Sequence, residues 1–198
     1  MKGEQNPFWN TTDSSFILSP FMLLKIWFFL GFRRIEKKNV LDHDERNTLY
    51  QNIEEHPGVD LTRLVNMLGL NKETARYHIK MLSLNGKISG LIKQGIARYF
   101  PTREGISEFE KTVIHYLWIG TTKRILLLLL DSPGLTRQAI AENLGITGPS
   151  VSWQMQRLAE DGLVEIRSVG KFVMYFLTTD GVETLQSVKT RHSVDIIS

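Results

Sequence analysis

With 198 residues, 42% hydrophobic and 23% charged, the chain has room for one large domain or two small ones and the composition of an ordinary folded protein. Absence of cysteine excludes disulfides, thiolate metal sites and cysteine nucleophiles, and the five histidines show no metal-ligand spacing. No phosphate-cradling glycine loop and no G-x-S-x-G elbow occurs, so the chain reads as a non-enzyme without a cofactor. A net charge of +3 is mild, so the distribution of charge has to identify the partner.

Residues 1–38 form an N-terminal apolar segment. Phe16–Phe32 is apolar except for Ser19 and Lys25 and is followed by Arg33, Arg34, Lys37 and Lys38. Two readings stand. One is membrane contact through residues 16–32, with Trp27 and the basic flank as interface anchors. The run sits at the short end of the ~17–25 residues needed to span, with a lysine in its middle. The other is a short aromatic-rich helix between Ser19-Pro20 and Gly31 that packs on a module or at a dimer interface. The basic residues lie after the apolar run, which is not the pattern of a cleaved signal peptide.

Residues 39–102 read as one module. Leu49 and Ile53 mark the inner face of a helix over 42–55, ended by Pro57-Gly58. Asp60 is an N-cap for a second helix burying Leu64, Val65 and Leu68, and Gly69 closes it. Asn71 caps a third helix that buries Ala75, Ile79 and Leu82 and stops at Asn85-Gly86. Short apolar runs over 87–91 and 97–101, around Lys93-Gln94-Gly95, read as a β-hairpin.

Residues 103–119 carry Ile106, Phe109, Val113 and Leu117 at helical spacing, with Thr102 as the expected cap of a connecting helix. A second module then follows over 120–178. Sliding the chain by 76 positions brings Pro57-Gly58 onto Pro133-Gly134, Leu68-Gly69 onto Leu144-Gly145, Gly86 onto Gly162 and Tyr99-Phe100 onto Tyr175-Phe176. Cap positions coincide too: Thr136 matches Asp60 and Thr147 matches Asn71. Ile125–Leu130 is six apolar residues in a row, which requires cover from the first module, the C-terminal helix (residues 179–198 with its tail) or a second subunit.

Helix, helix, turn, helix and hairpin is the winged helix-turn-helix arrangement. The segments PGVDLTRLVNMLGLNKETARYHIKMLSLNGKI and PGLTRQAIAENLGITGPSVSWQMQRLAEDGLV resemble winged helix-turn-helix regulators of the ArsR/MarR type, especially archaeal tandem forms, over roughly residues 33–181. The expected fold is mainly α with small β-wings (α+β): two tandem units joined by a helix, plus the apolar N-terminal helix.

The resemblance implies third helices in the major groove of double-stranded DNA and wings on the flanking backbone. In the first unit the outward set is Lys72, Glu73, Thr74, Arg76, Tyr77 and Lys80, with Lys93, Gln94 and Arg98 on the wing. Residues 61–103 hold eight Lys/Arg against one acid, a local charge of +7, which suits phosphate binding. In the second unit the candidates are Thr147, Ser150, Ser152, Trp153 and Gln156, with Arg167 and Lys171 on the wing. Four bases and four acids balance over 137–171, so this unit reads as a weaker DNA contact or an assembly module. Trp153 serves equally as a DNA contact or as a packing residue, and His78 reads as a packed residue rather than a ligand.

The expected function is a DNA-binding transcription regulator, homodimeric to match operator symmetry. It would act in the cytoplasm, at the membrane if the first N-terminal reading holds. The alternative is a tandem winged-helix scaffold that binds proteins. Nothing in the sequence marks a small-molecule effector pocket.

Overall fold

A computed structural model of the chain describes residues 44–102 and 105–191, all within one compact unit, Glu36–Ser198. The apolar segment 16–32, the start of the first helix expected at residue 42, Arg103 and the tail beyond Arg191 lie outside the described residues. The elements are helices with two small antiparallel sheets, an α+β fold.

Helix α1 (Asp44–Glu55) buries Leu49, Tyr50 and Ile53. The two-residue strand β1 (Val59–Asp60) leads into α2 (Leu61–Leu68), then α3 (Lys72–Leu84) and a hairpin of β2 (Ile88–Lys93) and β3 (Ile96–Pro101). The hairpin turns on Gln94 and Gly95, both at positive φ, 57° and 74°. Positive φ at both central residues is the type I′ pattern, whose twist matches that of the strands.

After α4 (Glu108–Leu117) the same succession returns as α5 (Gly120–Asp131), β4 (Leu135–Thr136), α6 (Arg137–Leu144), α7 (Gly148–Glu160), β5 (Val164–Val169) and β6 (Phe172–Leu177). Each of these elements begins and ends 76 residues after its counterpart. The ladders agree as well. In β1-β3-β2 Val59 faces Tyr99 and Ile88 faces Pro101; in β4-β6-β5 Leu135 faces Tyr175 and Val164 faces Leu177. Helix α8 (Thr179–Arg191) ends the described chain.

Local chemistry sets the boundaries as the sequence suggests. Asp60 accepts from the Arg63 N–H at 3.0 Å and Asn71 from the Glu73 N–H at 2.8 Å. Thr136 and Thr147 do the same for Ala139 and Ser150. Gly69 and Gly145 end α2 and α6 in the left-handed conformation, at φ 63° and 64°. One cap differs: Ser107, not Thr102, accepts from Glu110 and starts α4. The Thr102 N–H is instead taken by the Lys87 carbonyl.

Two apolar cores form, and they are not split at the repeat boundary. The first holds Leu49, Ile53, Leu64, Ala75, Leu82 and Ile88. The second holds Ile125, Leu126, Leu129, Ile140, Met155 and Leu158, and draws in Phe100 from β3, Ile106, the inner face of α4 and Leu185 and Val188 of α8. Trp118 packs against both. Of the apolar run of α5, Ile125, Leu126 and Leu129 are buried within the chain and Leu127, Leu128 and Leu130 are half-buried. Among the described residues no single helix is long and apolar enough to cross a membrane; α4 and α5 together reach that length only across a 108° bend.

Candidate nucleic-acid interface

Helix α3 separates its two faces cleanly. Ala75, His78, Ile79 and Leu82 are buried, while Lys72, Glu73, Arg76, Tyr77 and Lys80 are exposed and Thr74 is half-buried. The outward stripe is basic, with Glu73 restraining Arg76 at 2.5 Å. His78 lies beneath the helix, accepting from the Arg46 Nε–H at 3.3 Å on Nδ1, a packing role. No group of His, Asp or Glu among the described residues is arranged to hold a metal.

The first wing does not present its charges to a ligand. Arg98, expected on DNA, is 2% exposed. It lies on the inner side of β3, where Nη1 donates to the Gly58 carbonyl at 2.8 Å and Nε donates to His115 Nδ1 at 3.0 Å. Burial lowers its pKa to about 10 despite the nearby Asp60. The alternation of the strand, invisible in the charge count, turns this side chain inward. Lys93 is also occupied: Nζ binds Asp161 Oδ1 at 2.6 Å. Gln94 is exposed at the turn, beside the Tyr116 phenol. Arg63 stacks over Trp118 at 4.6 Å. Of the +7 counted along the sequence, Lys72, Arg76 and Lys80 are what α3 offers outward.

His115 belongs to this buried seam. Burial first, then the charges of Arg98, Lys93 and Arg157, lower its pKa to about 4, against the pull of Asp161. Its Nδ1 accepts from Arg98, so the neutral ring carries its proton on Nε2, which meets no acceptor among the described residues. The Tyr116 hydroxyl donates to Asp161 Oδ2, and burial together with that bond raises its pKa.

The second wing is open. In α7 the Val151, Gln154, Met155 and Leu158 side chains face the core. Trp153 stands 55% exposed with the Arg157 guanidinium 4.3 Å from its ring, and Gln156 is exposed beside Glu160. Trp153 is therefore not part of the core of the described residues. Ser150 and Ser152 are half-buried, and Thr147 is committed to its cap. On the hairpin Arg167 binds Glu165, and Lys171 sits at the tip with its ammonium 5.2 Å from the Phe172 ring.

Between this wing and the start of α6 runs a cleft of about 430 Å³ lined by Thr136, Arg137, Gln138, Ser152, Lys171, Phe172, Val173 and Tyr175. Two cations and no acid line it. Thr136, Arg137 and Gln138 of its lining lie at the start of α6, where the helix dipole favours anions. Sequence reasoning missed Arg137 and Gln138. A base directly after the Thr136 cap was the available signal. The seam of Tyr116, His115 and Asp161 gave none, because its partners are 17 to 68 residues apart in the chain.

Residues 120–165 match the family described as winged helix-turn-helix DNA-binding. An uncharacterized HTH-type transcriptional regulator of Methanocaldococcus jannaschii is 24% identical over 161 residues, 81% of this chain; the chain spans 40% of that relative's length. Among solved structures, HlyU from Vibrio cholerae N16961 is 23% identical, covering 41% of this chain and 89% of its own, with a TM-score of 0.35. A MarR protein from Peptoclostridium difficile DA00132 is 18% identical, covering 80% and 94%, with a TM-score of 0.32. Residues 120–165 thus match a DNA-binding winged helix-turn-helix, and the chain is similar over most of its length to an HTH-type transcriptional regulator.

Proposed function

We propose that the chain is a non-enzymatic, DNA-binding transcription regulator built as two tandem winged helix-turn-helix units. The observation that carries this is the acid-free cleft of the second unit, with Arg137 and Lys171 on its walls at a helix N-terminus. It has the charge and the backbone donors to hold a phosphate strand beside α7. Ser152, Trp153 and Gln156 then face base edges, with Ser150 behind them. In the first unit α3 adds Lys72, Arg76, Tyr77 and Lys80. Operator symmetry favours a homodimer, and the site of action is the cytoplasmic chromosome.

The test is a mobility shift of the full chain on its own upstream DNA over a salt series. Retardation should weaken steeply with salt, because phosphate contacts release counterions. No retardation at low salt would remove the reading.

A second reading has one observation behind it. Ile166, Val169, Phe172 and Val173 of the second wing are each about half exposed, a surface suited to a protein partner. Complex formation that survives charge reversal at Lys72, Arg76, Lys80, Arg137 and Lys171 would favour the scaffold.

A further inference from the structure

We infer that the first wing is an internal strap rather than a ligand contact: Lys93 at its tip, with Tyr116 of α4, grips Asp161 at the end of α7 and fixes the second recognition helix relative to the first. As a consequence for DNA reading, which rests on the function proposed above, the two helices would accept only one separation between their target segments.

The argument begins with Asp161. It is the C-cap residue of α7, where a carboxylate faces the negative end of the helix dipole and a neutral or basic residue is the favourable choice. The repeat supplies the control. The same position in the first unit is Asn85, whose amide donates to the Met81 carbonyl at 2.8 Å and serves its own helix. The Asp161 side chain reaches away from its helix, one oxygen to Lys93 and the other to the Tyr116 hydroxyl. Its place is explained by those two partners.

Lys93 has a matching contrast. Its counterpart Val169 is 51% exposed and the second wing stands free, whereas the Lys93 and Asp161 side chains are 24% and 21% exposed. Such partial shelter leaves the pair less screened than a surface contact. Both ends of the strap are anchored. Arg98 ties β3 to the Gly58 carbonyl and to His115 on α4. Trp118 just beyond α4 donates to the Pro57 carbonyl at 2.9 Å. The two-residue Gln94-Gly95 turn leaves no slack between the strands that present Lys93. Severing Asp161 from Lys93 and Tyr116 removes the polar tie between the wing and α7 while leaving both apolar cores whole.

Because the chain has no cysteine, Ser83→Cys on α3 and Gln156→Cys on α7 accept a pair of spin labels cleanly. The full labelled chain, diluted with unlabelled chain so that only distances within one molecule count, should give one narrow inter-label distance. In Asp161→Asn and in Lys93→Met the width of that distribution should about double as alternative orientations become populated. The swapped pair Lys93→Asp with Asp161→Lys should narrow it again. If Asp161→Asn fails to fold, Lys93→Met, which trims a partly exposed side chain, carries the measurement. An unchanged width in a folded Lys93→Met overturns the strap.

A second readout uses DNA. From a pool of randomised 40-bp duplexes the parent chain should enrich two motifs at one separation, and Lys93→Met the same motifs at several. Lys93→Gln should leave the salt slope of binding unchanged; a fall of about 0.9, one phosphate contact, would make the wing a DNA contact and end the proposal. If the parent enriches nothing, the DNA reading fails and the spin-label distances still decide the strap.

Discussion

The two hairpins are copies by register and opposites by use. Arg98 in the first corresponds to Met174 in the second, and Lys93 to Val169. The first hairpin carries its cations into the protein, one buried against Gly58 and His115 and one held by Asp161. The second carries its apolar residues outward and keeps Lys171 free at the tip. Positive charge counted along a hairpin is therefore no measure of what that hairpin offers a ligand. Charge that folds against a carbonyl, a ring or a carboxylate is already spent before any ligand arrives.

Replacing Arg98 by its counterpart, Arg98→Met, is the strongest way to break that contrast. It removes the partner of the Gly58 carbonyl and of His115 in a buried place, which should cost roughly 2–3 kcal/mol in urea unfolding. The salt slope of DNA binding should not move. Intact stability with a slope lower by about 0.9 would mean that Arg98 reaches phosphate after all.

The His115 site gives a pH signature that the second unit lacks. Its folded pKa of about 4 lies below the ordinary 6.5, so between those values the unfolded chain binds more protons. Stability should be complete above about pH 6.5 and fall as the pH drops toward 4, by on the order of 3 kcal/mol. His115→Gln should flatten that part of the profile, measured by denaturant unfolding at a series of pH values. An equal loss in both chains would place the titration elsewhere.

A finer comparison sets the two outward faces against each other in binding. Lys72→Gln with Lys80→Gln, and separately Arg137→Gln with Lys171→Gln, should each lower the slope of log K against log salt by about 1.8. Fluorescence anisotropy on one operator fragment measures both. A change confined to the first pair would return the main DNA contact to α3. The smallest effect is expected at Arg167, whose bond to Glu165 is open to solvent. Arg167→Gln should shift stability by no more than about 0.5 kcal/mol, and a larger loss would show the second wing to be less free than it looks.

What the sequence determined by itself is the part governed by local rules. The caps at Asp60, Asn71, Thr136 and Thr147 and the glycine stops at Gly69 and Gly145 depend on neighbours a few residues away, and the structure agrees with each. The inner faces of α3 and α7 follow from helical periodicity in the same way. The cap of α4 at Ser107 is the local exception, because Thr102 is drawn to Lys87 across the hairpin. Tertiary structure alone decided which charges remain available. Arg98 and Lys171 are both wing cations in the sequence; one is buried because its strand position faces α4 and the other is exposed at its turn, beside the Phe172 ring. That outcome depends on partners such as His115, Gly58 and Asp161, brought together by the packing of two cores around Trp118. Composition and spacing carry no record of such meetings, because a side chain's environment is fixed by every element that packs on it and not by the segment that contains it.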